Sequence, residues 1–263
     1  MRKILALLTL FTTTNALAAG GFTWVGAAQE ALGTHFPGHV VTFILIGVLL
    51  AVVGVVYRMK LSSVTNPVIP DKGFTFRNLV EAYGKFIYTQ CNAVLGEKDA
   101  PVYFKFVATT FILIFASNLI GLIPGFLPPT EYLSTTLALG CFSFIYFNLK
   151  GCKELGTINY LKHFAGPLWY MAVLIFPIEI LSTCIRPVSL ALRLNGNMMG
   201  DHKVLTTFLN LEVMGFNIAW LFGAVPFYLL GLLVCFIQAY VFTMLSMVYI
   251  SLATAHHDHA EHH

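Results

Sequence analysis

A charged stretch within an apolar part of the chain is the feature that most restricts its fold. Residues 178–204 lie between two strongly apolar blocks. The stretch carries six charged or titratable side chains, which are Glu179, Arg186, Arg193, Asp201, His202 and Lys203. A charge inside a membrane segment costs several kcal/mol unless it faces a partner or a water-filled cavity. Helical spacing puts Glu179, Arg186 and Arg193 on nearly one face, which Asn197 extends, so we predict a helix with a buried charged stripe.

Two glycines follow the last arginine of this stripe. Gly196 and Gly200 come three and seven residues after Arg193. Small residues four apart allow another helix to approach closely within a membrane. We therefore predict a flat surface for a partner helix beside the arginine.

The composition is that of an integral membrane protein. The chain is 57% hydrophobic and 10% charged, whereas soluble domains are about 25% charged. The net charge of +3 is too small and too spread out for nucleic-acid binding. The five cysteines have no metal-binding spacing, so we predict free thiols, no metal and no cofactor. Because the chain has no phosphate-binding or nucleophile motif, we predict that it is not catalytic alone.

The hydropathy pattern predicts an all-α membrane protein with five membrane-embedded helices and one amphipathic helix. The five cover about residues 39–57, 102–123, 133–149, 167–209 and 222–252. The amphipathic segment, 76–95, lies along the headgroups or packs on the domain as a cytoplasmic helix. The fourth helix, at ~60 Å, is twice the ~30 Å hydrocarbon thickness, so it must tilt, bend or break, with Pro187 as a bend point.

The ends of the chain have their own patterns. Residues 1–19 combine a basic start, a short apolar core and an Ala-x-Ala site, which is typical of a cleavable signal peptide; an uncleaved segment is the alternative. We expect residues 20–255 to form one membrane domain. Residues 256–263 are rich in histidine, and we predict a solvated cytoplasmic tail, since a terminal run offers no preformed metal cage.

The basic residues predict the topology. Outside residues 1–19 and the helix that carries Arg193, all ten Lys and Arg residues lie in connections that we predict to be cytoplasmic, or at adjoining helix ends. The positive-inside rule then predicts an external amino terminus and a cytoplasmic carboxyl terminus. This arrangement favours a bacterial inner membrane.

Three segments resemble subunit a of the F-type ATP synthase, the stationary proton-conducting subunit beside the rotating c-ring. They are RPVSLALRLNGNMMGDH at 186–202, NLIGLIP at 118–124 and IQAYVF at 237–242. The resemblance covers roughly residues 36–253. It implies two half-channels that couple proton flow to ring rotation and ATP synthesis, and a tilted hairpin of the last two helices against the ring. The implied partners are the c-ring and subunit b of the peripheral stalk.

The resemblance also implies roles for particular residues. Arg193 would face the c-ring carboxylate and separate the half-channels, and Gly196 and Gly200 would pack against the ring. The positions that match polar residues of the proton path are Asn197 and His202 on the outer side, Glu179 on the cytoplasmic side, Gln238 beside the arginine, and Ser189, Tyr249 and Asn118. One position departs from the family: seven residues before Gln238, where many members carry Glu or His, this chain has Gly231. We expect His202 to act there with Asp201, Lys203, Glu212 or water.

Other interpretations remain open from the residues alone. A secondary transporter could bind an anion with Glu179, Arg186 and Arg193, although the halves of the chain show no internal repeat. A non-conducting membrane scaffold would leave the charged stripe without a purpose. Each polar residue could also serve only to hydrogen-bond or ion-pair with neighbouring helices.

Overall fold

The computed structural model describes an all-helical chain. The described residues are 24–26, 36–62, 73, 75–123, 126, 128–156, 172–209 and 224–254, and they contain no strand. The main helices are α1 (Gly38–Ser62), α2 (Phe76–Leu119), α3 (Leu133–Leu155), α4 (Ala172–Leu209) and α5 (Ala224–Thr254). Short 3₁₀ turns cover Ile120–Leu122 and Pro129–Glu131. The predicted all-α class is confirmed, while the signal peptide, Glu212 and the histidine-rich tail lie outside the described residues.

Four helices in the described part of the chain are long and apolar enough to cross a membrane. They cover Gly38–Ser62, Phe76–Leu122, Ile175–Val204 and Tyr228–Ala253. These match four of the five predicted membrane segments. The fifth predicted segment forms α3, which is 23 residues long. It contains several hydroxyl and amide side chains and is not among the four helices apolar enough to cross a membrane. Its place in the membrane therefore stays a prediction.

The amphipathic segment and the second predicted span are the two arms of α2. At Gly96 the backbone has φ 80° and ψ 168°, which breaks the helical path between residues 76–95 and 97–119. The Tyr83 hydroxyl donates a hydrogen bond to the Ala108 carbonyl at 2.6 Å, and the Phe86 and Phe111 rings lie 6.3 Å apart. The arms are therefore antiparallel neighbours, which favours the packed alternative over a helix lying free along the headgroups.

An i,i+4 ion pair on the first arm of α2 is partly buried. Arg77 donates from Nε to Glu81 Oε1 at 2.6 Å, which confirms the i,i+4 spacing. The Arg77 side chain is nevertheless only 2% exposed. The buried guanidinium needs this carboxylate because an unpaired charge would be strongly destabilising there.

The chain divides into two compact units. One takes its described residues from Met1–Val48, Leu113–Thr136 and Arg193–Ala239, and the other from Leu49–Ile112, Leu137–Leu192 and Tyr240–His263. We call them unit 1 and unit 2. The prediction of one membrane domain for residues 20–255 stays a prediction.

Unit 2 is held together by aromatic and small-residue packing. The Phe106 and Tyr146 rings stack with centroids 3.8 Å apart. The hydroxyls of Ser143 and Ser246 lie 3.0 Å apart in a buried pair. A β-carbon on Gly140 would come within 2.7 Å of the Pro187 carbonyl oxygen, so glycine is what allows α3 to approach α4 here.

The last two helices pair within unit 1 as an antiparallel hairpin. Asn197 contacts Gln238, and one helical turn further along α4, Asp201 approaches Gly231 on α5. As residue numbers rise on α4 they fall on α5, so the predicted hairpin is confirmed. Helix α4 continues through Pro187 without a break. Of the three predicted ways to fit its length to the membrane, a break is therefore excluded, and tilting and bending remain.

The break at Gly96 generates a stability prediction. Gly96→Ala should lower the free energy of unfolding of the detergent-solubilised protein by ~1–3 kcal/mol, because a side chain disfavours this positive-φ conformation. Thermal unfolding followed by circular dichroism measures the change. The matched control is Gly47→Ala in α1, where an added β-carbon meets no atom within 4 Å and the helix gains up to ~1 kcal/mol. A Gly96→Ala protein as stable as the wild type would contradict the account of the break.

Candidate functional site

Arg193 lies on an exposed face of α4. Its guanidinium has no ion pair or hydrogen bond with any residue that the structure describes. Gly196 and Gly200 share this face, and a β-carbon added at either would meet no described atom within 4 Å. The exposed surface of α4 in unit 1 therefore combines one positive charge with a shallow strip that lacks side chains.

Asn197 and Gln238 are brought together beside this face. The Asn197 side-chain nitrogen donates to Gln238 Oε1 at 2.7 Å. Gln238 is 3% exposed, whereas Asn197, one turn after Arg193, remains exposed. The bond fixes the glutamine inside the α4–α5 pair and leaves one side of the asparagine open.

Asn118 joins the same region from the end of α2. It is fully buried, and its nitrogen donates to the Cys235 carbonyl at 3.4 Å, one turn before Gln238 on α5. The Asn118 carbonyl oxygen and the buried hydroxyls of Ser117 and Thr130 have no hydrogen-bond partner among the described residues. Buried polar atoms of this kind are normally satisfied by ordered water.

A polar cluster continues towards the far end of α4 in unit 1. A β-carbon on Gly231 would lie 3.0 Å from Asp201 Oδ2 and 2.7 Å from Leu122 Cδ2. The missing side chain at position 231 therefore leaves room for the Asp201 carboxylate. The next residue, His202, places Nδ1 3.0 Å from Glu131 Oε2.

The cytoplasmic candidates lie in unit 2. Glu179 Oε1 and Arg186 Nη2 are 3.9 Å apart, and the Arg186 guanidinium lies 5.2 Å from the centre of the Tyr249 ring. Arg186 thus links two predicted site residues that are distant in sequence. Ser189 is exposed and makes no side-chain hydrogen bond to the described residues, so the structure does not bring it into either cluster.

Two contacts of this site were missed from the sequence. Glu131 contacts His202, and its main-chain carbonyl accepts a hydrogen bond from Asn195 Nδ2 at 2.5 Å. A topological signal was present: Glu131 is the only acidic residue between Asp99 and Glu154. It lies between the predicted membrane helices 102–123 and 133–149, and the predicted topology, with an external amino terminus, puts that connection on the outer side, where His202 is also expected. No set of three or more His, Cys, Asp or Glu side chains that could hold a metal occurs in the described ranges.

Comparison with known proteins identifies the family. The family model described as ATP synthase A chain matches residues 39–251. "ATP synthase subunit a" of Bdellovibrio bacteriovorus is 42% identical over 225 residues, 86% of this chain and 94% of that protein. The protein of the same name from Sorangium cellulosum is 40% identical over 87% of this chain and 90% of its own length. A third protein of that name, from Geobacter sulfurreducens, is 44% identical over 68% of this chain and 76% of its own length. This chain is therefore a multi-pass membrane protein of the ATP synthase A chain family.

Proposed function

We propose that this chain conducts protons through the membrane sector of a rotary F-type ATP synthase, with Arg193 as a fixed charge between two half-channels. The proposal rests on the exposed position of Arg193, which has no ion pair with any described residue, within the part of α4 that is apolar enough to span a membrane. A charge in that position needs an anionic partner or water. Because the described residues offer no such partner, we infer that another subunit supplies it.

The partner that fits is a carboxylate on a rotating ring of small subunits. Arginine suits this role because its guanidinium stays charged in proteins. Beside that charge a ring carboxylate is favoured as an anion and releases its proton, whereas in lipid the same carboxylate must be protonated. This difference makes rotation depend on proton exchange on each side of Arg193. The arginine thus blocks direct flow between the half-channels and is not itself a proton carrier.

The glycine strip supports the position of the ring. Gly196 and Gly200 extend the Arg193 face without protruding side chains. Close helix contacts in membranes use such small residues because attraction there depends on van der Waals packing. We propose that ring helices pass over this strip, which keeps their carboxylates within reach of Arg193.

The external half-channel would follow the polar groups of unit 1. Asn197 and Gln238 lie nearest the arginine, followed by Asn118, and then by Asp201 and His202. Asn197 and Asp201 are one helical turn apart on α4, and Asn118 contacts α5 one turn before Gln238. Together with buried polar atoms that need water, these positions support a hydrated path. In this proposal Asp201, in the space left by Gly231, takes the place of the side chain that many relatives carry at that position.

The cytoplasmic half-channel would begin in unit 2. The Glu179 carboxylate attracts protons leaving the ring, and Arg186 orients it together with Tyr249. Ser189, exposed one turn before Arg193, would contact water or the ring. This path is proposed from one ion pair and one cation–π contact.

The proposed cellular setting follows from charge and composition. The distribution of Lys and Arg favours an external amino terminus and a cytoplasmic carboxyl terminus in a bacterial inner membrane. We propose the c-ring and subunit b of the peripheral stalk as protein partners. Nucleotide chemistry would belong to other subunits, since this sequence carries no nucleotide-binding motif.

Replacing the arginine tests the proposal directly. In inverted membrane vesicles that contain the whole complex, Arg193→Ala should abolish ATP-driven proton pumping and ATP synthesis while the complex still assembles, because the ring carboxylate loses its fixed counter-charge. Passive proton leak should persist or rise. The control is Arg58→Ala, which removes an exposed arginine at the end of α1 and should pump normally. Normal coupled pumping by Arg193→Ala would refute the separator role.

Filling the glycine strip tests the ring contact. Gly196→Leu should reduce the amount of ring that co-purifies with the chain, because the new side chain occupies the proposed interface. Thermal stability of the isolated chain should not fall, since the position is open within the chain. Gly54→Leu, at an equally open glycine of α1, is the matched control and should retain the ring. Full ring retention by Gly196→Leu would place the ring elsewhere.

A further inference from the structure

The contact between Glu131 and His202 joins two parts of the chain within unit 1. His202 Nδ1 and Glu131 Oε2 are 3.0 Å apart. The His202 side chain is 24% exposed and that of Glu131 is 20% exposed. At this distance a proton can pass directly between the two groups. Glu131 Oε2 itself is buried, so water would reach the pair through the partly exposed remainder of the two side chains.

The main chain around Glu131 is fixed in position independently of its carboxylate. The residue ends the 3₁₀ turn Pro129–Glu131, and its amide donates to the Pro128 carbonyl at 3.1 Å. Its own carbonyl accepts from Asn195 Nδ2 at 2.5 Å. Because Asn195 is on α4 seven residues before His202, the same helix holds both the backbone of Glu131 and the imidazole. The carboxylate itself is not needed for this attachment.

The neighbouring residue anchors the turn to α1. The Tyr132 ring stacks on His39, with ring centroids 4.2 Å apart and an angle of 16° between the planes. Ser134 Oγ lies 3.4 Å from His39 Nε2. The turn is thereby attached to α1 as well as to α4, which keeps the Glu131 side chain directed at one place.

We propose that Glu131 exchanges protons with His202 at the outer end of the external half-channel. During synthesis a proton on the Glu131 carboxyl moves to His202 Nδ1, so that an O–H bond breaks, an N–H bond forms, and carboxylate and imidazolium remain. ATP-driven pumping uses the reverse transfer. This inference rests on the proposed proton-conducting function and adds an entry residue that comes from the loop before α3. Glu131 is thus the titratable group in contact with His202. Asp201, the neighbour of His202 in sequence, lies instead beside Gly231.

An isosteric substitution separates proton exchange from a structural role. In Glu131→Gln the amide oxygen can still accept a hydrogen bond from the imidazole, and the bond from Asn195 to the main chain is untouched, but the side chain cannot carry a proton. We expect passive proton conduction in vesicles stripped of the ATP-hydrolysing sector to fall about tenfold or more, since a positioned proton-transfer group typically contributes ~10²–10⁴-fold. ATP-driven pumping in unstripped vesicles should fall in parallel.

Two further variants complete the test. Glu97→Gln, which removes an exposed carboxylate from α2, is the control and should conduct as the wild type does. The exchange variant Glu131→His with His202→Glu keeps one imidazole and one carboxylate, and we expect it to recover most of the conduction lost in Glu131→Gln. If Glu131→Gln fails to assemble, this double variant still tests whether Glu131 takes part in proton conduction.

The outcomes separate this inference from the proposed function. Wild-type conduction by an assembled Glu131→Gln complex, or no conduction by an assembled exchange variant, would overturn the role of Glu131. If Arg193→Ala abolishes coupled pumping in the same membranes, the proposed function survives that result. If Arg193→Ala pumps normally, the proposed function fails irrespective of Glu131.

Discussion

An arginine without a partner among the described residues of its own chain is the constraint on which the rest of the structure depends. Two other arginines of the described helices have counter-charges, which are Glu81 for Arg77 and Glu179 for Arg186. Arg193 has none within the described residues, although it lies in an apolar helix. Leaving a charge unmatched in a membrane is expensive. We propose that a carboxylate from another subunit covers the exposed face of α4, which would link this chain to the motion of a ring.

The hairpin of α4 and α5 separates two kinds of polar group. The Gln238 side chain points into the helix pair, where its oxygen accepts a hydrogen bond from Asn197. The arginine and the glycine strip point away from it. Glycines allow both the inner packing and the open outer face. Gly231 leaves room for the Asp201 carboxylate on the inner side, and Gly196 leaves the outer side without a protruding side chain. A larger residue at either glycine would disturb a different function, namely internal packing or contact with a partner.

Much of the fold was predictable because membrane helices are specified by long apolar runs. The helix positions and the open glycine pair follow from hydropathy and helical spacing, whereas the hairpin was implied by the resemblance to subunit a of the ATP synthase. The turn at Gly96 was harder to foresee, because whether an amphipathic helix lies on lipid or packs on its neighbour depends on contacts such as Tyr83 with Ala108. Pro187 was predicted as a bend point, and α4 continues through it without a break, because proline is tolerated in membrane helices where neighbouring groups satisfy the freed carbonyl. The bend itself stays a prediction.

The site was only partly predictable for a related reason. Asn197 and Gln238 were both identified, but as separate positions, and their hydrogen bond required the register of the hairpin. Glu131 was missed because its partner is 71 residues away in sequence and depends on how one loop folds onto α4. The side of the membrane can be inferred from charge distribution, whereas a 3.0 Å contact between two side chains cannot.

The most direct test of the central claim is the position of the Arg193 side chain in the assembled complex. Cryo-electron microscopy of the whole enzyme in a lipid environment would measure it. We predict that the guanidinium lies at the interface with a ring of small subunits, facing their carboxylates, and that ring helices cross the Gly196–Gly200 strip. A structure in which Arg193 faces lipid or is covered by a different subunit, with the ring on another face of the chain, would contradict this prediction.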